Sequence, residues 1–411
     1  MAQFKNLRKV FHQWGGITAV FFAYTHLSHD IYVGLLVALL PFIKADLGLS
    51  YLQSGLLLSA YAITSGLSQF LGGWLGDRVS RQTVLVIGLG GVSLSAVAIG
   101  LTSAYHTMLV ILVIMGFFSG AYHPSATAML SGYFEEARRG KAIALHLVGG
   151  SFGFAMGPVL GGLIAGILGW RLAFIILSIP IFVAIPLVLK KLKQQEHPAH
   201  GEPVDHAPTR YGSVKLMERG TSLGQILRPI AVVTTLAILT QFVGGSALAF
   251  LPLYLVGKHS IDPAYAAMLL SVIRSGGIAG SLLGGWLSDR WGRKNAIFLA
   301  LVATGPLLYL TTKLPFNPVL VVAFIIFCMV MLMRQAAIQP LLMDSTPPEF
   351  RSTVFGLYFG LSMEGSSLTQ PLAGHFMDVF GIVDVFHVIA LISIALSLGA
   401  LLLLKWPKVR R

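Results

Sequence analysis

"GGWLGDRVSRQ", residues 72–82, and "GGWLSDRWGRK", residues 284–294, are two copies of one short element that lie 212 residues apart. A second pair keeps nearly the same offset, since "ALLPF" at 38–42 corresponds to "AFLPL" at 249–253. Repetition at half the chain length is typical of a protein built from two similar structural units in tandem. We therefore predict two halves with the same architecture.

The composition identifies the surroundings in which these halves fold. The 411 residues are 55% hydrophobic and only 11% charged, and their mean hydropathy is +0.78. Such a chain has too few polar residues to cover the surface of a soluble protein, which indicates an integral membrane protein. The single cysteine, Cys328, excludes both a disulfide framework and a thiolate metal cluster within one chain.

Twelve apolar stretches have about the 20-residue length that crosses a bilayer as a helix. They lie near 15–42, 51–76, 83–102, 107–131, 141–167, 170–190, 229–257, 264–288, 296–313, 318–344, 352–377 and 383–405. We predict an all-α membrane protein with twelve transmembrane helices in two pseudo-symmetric six-helix bundles, at residues 1–190 and 229–411. A polar cytoplasmic linker, residues 191–228, joins the bundles. The first stretch is expected to be a retained span rather than a cleaved signal.

The lysine and arginine residues predict the orientation. With both termini in the cytoplasm, the inside loops hold 23 of the 29 and the outside loops hold four. This asymmetry predicts a multi-pass protein of the inner membrane with both termini cytoplasmic. It also accounts for the net charge of +13, so no nucleic-acid partner is expected.

The repeated element combines glycines, an aspartate and arginines at the ends of spans two and eight. It resembles the loop signature of the major facilitator superfamily, whose two six-helix halves hold a substrate between them near the middle of the membrane. The resemblance implies that these charges latch the two halves on the cytoplasmic side in one state and release them in the other. A role in anchoring the loops alone stays open. The residues concerned are Gly73, Asp77, Arg78, Arg81, Asp289, Arg290 and Arg293.

Span five carries a second motif, "GFAMGPVLGG" at residues 153–162. It resembles the G-x-x-x-G-P-x-x-G-G element of the proton-antiport drug exporters of that superfamily. The resemblance implies export rather than uptake. Small residues four apart also make a flat face for helix packing, so a purely structural role stays open. The motif residues are Gly153, Gly157, Pro158, Gly161 and Gly162.

Two further segments, "HLSHD" at 26–30 and "YHPS" at 122–125, resemble elements in the first and fourth spans of the fosmidomycin-resistance branch of these exporters. This likeness covers the first half of the chain. His29 stands where the branch has asparagine.

The "HLSHD" segment also has a chemical interpretation of its own. At 100° per residue, His26, His29 and Asp30 cover an arc of about 100° on one helix face, so all three can point into a central cavity. Ionisable groups inside a membrane are costly and are functional by default. We predict that Asp30 and His26 couple transport to protons, with Glu364 in span eleven as the alternative carrier. Structural hydrogen bonding of the histidines stays open.

Other polar side chains in the middle of spans are predicted to contact the substrate. Arginine keeps its charge when it is buried. We expect one of the two mid-span arginines to pair with Glu364 or Asp344, and a free one would favour an anionic substrate. The predicted substrate residues are His29, His123, Gln241, Arg274, Arg334 and Gln335, and His146 and His375 are secondary candidates.

Neither a phosphate-binding G-x-x-x-x-G-K-[ST] loop nor a nucleophile–base arrangement is present, so we expect neither ATP as the driver nor an enzyme. We predict a monomeric secondary transporter that exports a small anionic organic compound, such as an antibiotic, in exchange for protons by alternating access. No cofactor and no bound metal are expected. Two alternatives are a divalent-metal transporter that uses His26, His29 and Asp30, and a sensor that binds without transport.

Overall fold

The computed structural model describes residues 14–191, 231–346, 354, 358, 361–362 and 365–403. The two chain ends, which we predicted to be cytoplasmic, therefore lie outside the described residues. So do nearly all of the predicted linker and Glu364. Where the chain is described it is helical, and no strand occurs there. The predicted all-α class is confirmed.

Twelve helices are described, and we number them in chain order. They are α1 (Gly16–Leu47), α2 (Tyr51–Arg78), α3 (Arg81–Leu101), α4 (Tyr105–Tyr133), α5 (Glu136–Leu168), α6 (Trp170–Lys191), α7 (Ala231–His259), α8 (Pro263–Trp291), α9 (Arg293–Lys313), α10 (Pro318–Ser345), α11 (Gly365–Phe380) and α12 (Ile382–Leu403). Nine of the described helices are long and apolar enough to cross a membrane.

The start of α2 shows how the sequence fixes a helix boundary. Ser50 accepts a hydrogen bond from the Gln53 amide, and the Gln53 side chain accepts one from the Ser50 amide. This capping box satisfies two of the amides that a helix start leaves without partners. Just before it, Gly48 ends α1 in the left-handed conformation with φ of 61°, so the chain turns sharply between the two helices.

Helices α1 and α5 pack against each other along a stripe of glycines. A Cβ atom at Gly149, Gly153 or Gly157 would lie 2.2 Å from the backbone oxygen of Ala23, Leu27 or Ile31, respectively. A larger side chain at any of the three positions would collide with the backbone of α1, so only glycine permits this approach. The three glycines are spaced four residues apart and therefore lie on one face of α5. The stripe therefore fixes α5 against the part of α1 that carries "HLSHD".

The motif of span five thus has a packing role. Gly153 and Gly157 belong to the stripe on α1, and Pro158 lies against Gly34 of the same helix. A Cβ at Gly161 would meet Leu35, and one at Gly162 would lie 2.7 Å from the Cβ of Ala267 in α8. These contacts support the structural interpretation of the motif. They do not bear on its resemblance to the motif of the exporters.

The chain divides into two compact units. The first contains α1 to α6 together with Ala249–Ser271 and Gln370–Val379, and the second contains the remaining described residues. Contacts inside the first unit explain this division. Ser271 donates to the Ala155 carbonyl at 2.6 Å. Asp378 accepts from the amides of Tyr51 and Leu52 at 2.7 and 2.9 Å. The unit boundary therefore passes through helices α7, α8 and α11, and the predicted bundles at 1–190 and 229–411 stay a prediction.

Inside the second unit, α8 packs on α10 through glycines of its own. A Cβ at Gly276, Gly280 or Gly284 would lie 2.3, 2.0 or 2.4 Å from a backbone oxygen of α10. Beside this contact, an apolar core joins α7, α9, α10 and α12 and includes Leu236, Leu301 and Ile338. Close glycine contacts between helices are therefore used in both units.

Candidate functional site

The "HLSHD" segment lies in the interior of α1, and its three ionisable side chains contact one another as predicted. His26 Nε2 lies 3.2 Å from Asp30 Oδ2, and His29 Nδ1 lies 2.8 Å from Asp30 Oδ1. The Asp30 side chain is 16% exposed, and that of His29 is fully buried. One carboxyl group is thus held between two imidazoles, one at each of its oxygens.

The orientation of His26 is fixed from α5. His26 Nδ1 donates to the His146 carbonyl at 2.8 Å, and the two rings stack with their centroids 4.1 Å apart. His146 Nδ1 donates in turn to the Phe22 carbonyl at 3.0 Å. A Cβ at Gly150 would lie 2.5 Å from the His26 ring, so a glycine here leaves room for the imidazole. His146, a secondary candidate in the sequence, is therefore part of this cluster.

His29 is held from α2 and α4. Its Nε2 lies 3.1 Å from Ser119 Oγ, which lies 2.9 Å from the hydroxyl oxygen of Tyr61. The His29 ring stacks on Tyr122 at 4.4 Å between centroids. The Tyr122 hydroxyl is 2.9 Å from Thr25 Oγ1, which donates to a backbone carbonyl of its own helix. Both nitrogens and one face of the His29 ring are thus engaged inside the protein.

His123 forms the accessible edge of the cluster. Its Nε2 lies 3.9 Å from Asp30 Oδ1, and its side chain is 34% exposed. The His123 ring lies edge-on to those of His26 and His29, at 5.3 and 4.9 Å between centroids. The His123 side chain is therefore more exposed than those of His26 and His29, which are 7% exposed and fully buried.

The contact between His26 and Asp30 requires a proton. The His26 Nδ1 proton is donated to a carbonyl, so a neutral His26 ring has only a lone pair at Nε2. A lone pair facing a carboxylate oxygen at 3.2 Å would be repulsive. The contact is favourable when one proton lies between the two atoms, on the acid or on the imidazole. With one proton bound in this geometry, the pair carries no net charge.

The imidazole nitrogens and carboxylate oxygens of this cluster are also suitable ligands for a divalent metal ion. One atom from each of His26, Asp30 and His123 can be chosen so that all three lie within 4.8 Å of one another. Imidazole and carboxylate suit zinc and iron. The geometry alone is compatible with both a proton and a metal ion.

The second unit contains a buried cation. Arg334 on α10 is fully buried. It donates through Nη1 to the Ala237 carbonyl at 2.7 Å and through Nη2 to Gln241 Oε1 at 2.6 Å. The structure therefore brings together two of the predicted substrate residues, Arg334 and Gln241. Gln335 follows Arg334 on α10, Arg274 lies on α8, and no described contact joins either of them to this pair.

Asp344 has a partner that the sequence did not predict. We expected a mid-span arginine to pair with either Glu364 or Asp344. Asp344 forms an ion pair with Arg293, which also donates to the Pro340 carbonyl, and the alternative with Glu364 lies outside the described residues. The reason is position, since Asp344 lies near the end of α10 and Arg293 begins α9. One arginine of the second loop element is thus tied to the adjacent helix end.

Both copies of the loop element also place an arginine on a tryptophan ring. Arg78 lies over Trp74 at 4.1 Å, and Arg290 lies over Trp286 at 5.4 Å. The shared "GGWL" of the two copies is the sequence signal for this contact. Asp289 is exposed, and the burial of Gly73 and the side chain of Asp77 lie outside the described part of the structure.

Some residues of the cluster were missed in the sequence. Ser119, Tyr61 and Thr25 are uncharged polar residues, and such residues are common along these helices; Tyr122 lies in the "YHPS" segment, but no role was predicted for it. Only their contacts distinguish them. His375, the other secondary candidate, is exposed on α11 next to Phe376, and no described contact places it in the cluster.

Comparison with known proteins identifies the family. The model of the Major Facilitator Superfamily matches residues 21–368 and 230–411. The chain belongs to the Major Facilitator Superfamily. Members of this superfamily are membrane transporters rather than enzymes, and they bind small-molecule substrates. The predicted fold and the resemblance to the superfamily are confirmed.

Individual relatives in the superfamily are distant but cover most of the chain. The fosmidomycin resistance protein of Escherichia coli (strain K12) is 22% identical over 380 residues, which are 90% of this chain and 88% of the relative. The hexuronate transporter of Bacillus subtilis (strain 168) is 24% identical over 257 residues, 62% of this chain and 60% of the relative. The crystal structure of the nucleoside transporter NupG superposes with a TM-score of 0.73 at 14% identity and covers 94% of this chain and 99% of its own.

Proposed function

We propose that this transporter exports a small organic anion across the cell membrane in exchange for protons, as a monomer, and that Asp30 and His26 bind the proton. One observation carries the proposal, the 3.2 Å contact between His26 Nε2 and Asp30 Oδ2, which is favourable only with a proton between them. A transporter coupled to protons needs such a group inside the membrane.

The burial of the pair supports this role. An ionised carboxylate is costly inside a bilayer, whereas the proton-loaded pair carries no net charge. Loss of the proton leaves a charge that favours a different environment or a different partner. The pair can therefore couple its protonation to a change of conformation, as alternating access requires. In this proposal His29, which is fully buried, positions Asp30 rather than contacting substrate.

An anionic substrate is supported by chemistry and by relatives. Arg334 keeps its charge in a buried position, where an anion would complement it. Three relatives are named for acids or for resistance to an acid: the fosmidomycin resistance protein, a probable sulfoacetate transporter and the hexuronate transporter. Arg334, Gln241, Arg274, Gln335 and His123 are the residues that we assign to the substrate.

The direction of transport rests on different support. The motif at residues 153–162 resembles that of the proton-antiport exporters, and two relatives are named for drug resistance or export, the multidrug resistance protein MdtG and the tetracenomycin C resistance and export protein. Export of a toxic anion would protect the cell. The compounds to test first are therefore anionic antibiotics, with fosmidomycin as the first probe.

Proton release from the purified protein tests the proposal. Fosmidomycin, or the best compound from a growth-inhibition profile of cells with and without the protein, is added to protein in weakly buffered detergent with a pH indicator dye. We expect the wild type to release protons on binding and Asp30→Asn to bind without release. Asp384→Asn is the matched control, since Asp384 is 75% exposed and also lies near a histidine, His387.

The same assay examines the metal alternative. If Zn²⁺ releases protons from the wild type at micromolar concentration, and no anionic compound does so, the cluster serves a metal ion and the proposal is wrong. If anions release protons and Zn²⁺ only inhibits them, the proposal stands.

A further inference from the structure

A chain of hydrogen bonds reaches Asp30 from α2 and α4, on the side opposite His26. It runs from the Tyr61 hydroxyl to Ser119 Oγ at 2.9 Å, from Ser119 Oγ to His29 Nε2 at 3.1 Å, and from His29 Nδ1 to Asp30 Oδ1 at 2.8 Å. His29 and Ser119 are buried and Tyr61 is half-buried. The two hydroxyl groups are not needed to hold a proton between His26 and Asp30, so they require another explanation.

We infer that Ser119 and Tyr61 are positioning residues that fix the tautomer of His29 and thereby set how readily Asp30 takes up its proton. This inference rests on the proposed function, in which Asp30 is the proton carrier. It concerns a different carboxyl oxygen, Oδ1, from the one that faces His26.

The chemistry of the three groups fixes the direction of each bond. When Asp30 is ionised, Oδ1 can only accept, so His29 Nδ1 must carry the proton of a neutral ring. His29 Nε2 then has a lone pair and accepts from Ser119. Ser119 has a single proton, which it gives to His29, and so it must accept from Tyr61. Each donor has one acceptor, and the protons all point toward Asp30.

The other tautomer of His29 would have the opposite effect. With its proton on Nε2, His29 would turn a lone pair toward Oδ1 and would favour the protonated acid rather than the carboxylate. The ring is fully buried and stacked on Tyr122, so exchange of its two nitrogens by rotation is hindered. The tautomer therefore depends on what both nitrogens face: an ionised Asp30 favours the proton on Nδ1, and Ser119 favours the same tautomer by donating to Nε2.

Breaking the hydrogen bonds between Tyr61, Ser119 and His29 leaves the other titratable groups around Asp30 in place. Three titratable side chains face Asp30 directly: His26 and His29 on α1 and His123 on α4. Three more lie beside these partners: Tyr61 on α2, Tyr122 on α4 and His146 on α5. Removal of the Ser119 hydroxyl directly alters only its two hydrogen-bond partners in this set, His29 and Tyr61, and of these only His29 has a described contact with Asp30. A change in the protonation of Asp30 can then be attributed to His29.

Infrared titration of the full-length protein in liposomes measures this protonation without any substrate. A protonated carboxyl group has its own C=O stretching band, and the part of that band which Asp30→Asn removes belongs to Asp30. We expect Ser119→Ala to shift the midpoint of this band to higher pH by about one unit, because the Nδ1–H tautomer is no longer enforced. Tyr61→Phe should shift it in the same direction by less.

Two control variants make the measurement specific. Ser125→Ala removes a buried hydroxyl from the same helix, and that hydroxyl has no hydrogen-bond partner among the described residues, so its midpoint should equal that of the wild type. Ser119→Thr keeps the hydroxyl and should also keep the midpoint. Tyr61→Phe, on a half-buried side chain, replaces the Ser119 variants if these do not fold.

The outcomes separate the inference from the proposed function. If Asp30→Asn removes part of the band, but Ser119→Ala and Tyr61→Phe titrate like Ser125→Ala, the inference is wrong and the proton carrier stands. If Asp30→Asn leaves the band unchanged at every pH, Asp30 binds no proton, and both are wrong.

Discussion

Asp30 in the first unit and Arg334 in the second unit are both ionisable side chains inside membrane helices, but they are accommodated in opposite ways. Asp30 contacts His26 at 3.2 Å, and in the proposed function the pair shares one proton and has no net charge. Arg334 keeps its charge and is held by a carbonyl and an amide oxygen. A carboxyl group and an imidazole can each take up and release a proton, whereas a guanidinium stays protonated.

The two units nevertheless share their packing. Both use glycine contacts between helices, and both stack an arginine on a tryptophan in the repeated loop element. The repeat thus retains the contacts that build the bundle and differs in mid-span chemistry. This difference suits a division of labour, within the proposed function, in which the first unit binds the proton and the second supplies most of the residues that bind the anion.

The largest effect is expected from Asp30→Asn. The variant should lose accumulation driven by a pH gradient but keep exchange at equal substrate concentrations, because the amide cannot release a proton. Uptake into inverted vesicles with and without a gradient, beside counterflow in the same vesicles, measures this. Glu364→Gln should have a smaller effect on coupling. Full gradient-driven accumulation by Asp30→Asn would mean that Asp30 only forms structural hydrogen bonds.

A tenfold effect is expected from Arg334→Lys in the second unit. An ammonium group cannot reach the Ala237 carbonyl and Gln241 with the fixed geometry of a guanidinium, so anion affinity should fall by about a factor of ten. Isothermal titration with the transported anion measures it, and proton release per anion bound should stay as in the wild type. Arg290→Lys, at an exposed position, is the control. Loss of proton release in Arg334→Lys would show that proton binding and anion binding are not divided between the two units.

A smaller effect is expected at the loop element. Asp77→Asn should slow transport several-fold while binding and folding are retained, because it changes an equilibrium between conformations rather than the site. Initial transport rates and anion affinity measured on one preparation separate the two effects. Asp289→Asn in the second copy gives the comparison between units. A wild-type rate for Asp77→Asn would argue against a latch in the first copy.

Alanine in the glycine contacts should lower stability by about 1–3 kcal/mol. Gly153→Ala places a Cβ 2.2 Å from the Leu27 oxygen, and Gly280→Ala places one 2.0 Å from the Met329 oxygen. Both should lower the thermal midpoint, but only Gly153→Ala should disturb proton release, since it displaces α1. Gly140→Ala and Gly285→Ala, which meet no atom within 4 Å, are the controls. An equal loss of proton release in Gly280→Ala would show that the two units are not chemically separate.

Much of this architecture could be predicted because it depends on patterns along the chain. Apolar length identified the helices, the repeat of "GGWL" identified two related halves, and the "HLSHD" cluster was recognised as a buried polar segment. These features depend on composition and spacing, which a single sequence displays directly.

Other features depend on which helices meet. Asp344 pairs with Arg293 rather than with a mid-span arginine, because helix ends bring them together. Ser119 and Tyr61 matter through His29, and nothing in their own neighbourhoods distinguishes them from other hydroxyl residues. The division into units depends on tertiary contacts such as that between Ser271 and Ala155, far apart in sequence.

The contact of Asp378 with the start of α2 has a consequence for how easily that junction separates. Tyr51 and Leu52 donate their amides to Asp378, whereas the neighbouring amides are satisfied within the capping box. The two donors are exposed, so water can replace the carboxylate as soon as it leaves. The hydrogen bonds of Asp378 therefore determine where the end of α11 docks on α2, but they resist separation only weakly. When the two helix ends separate, water satisfies both amides and no buried polar group is left without a partner.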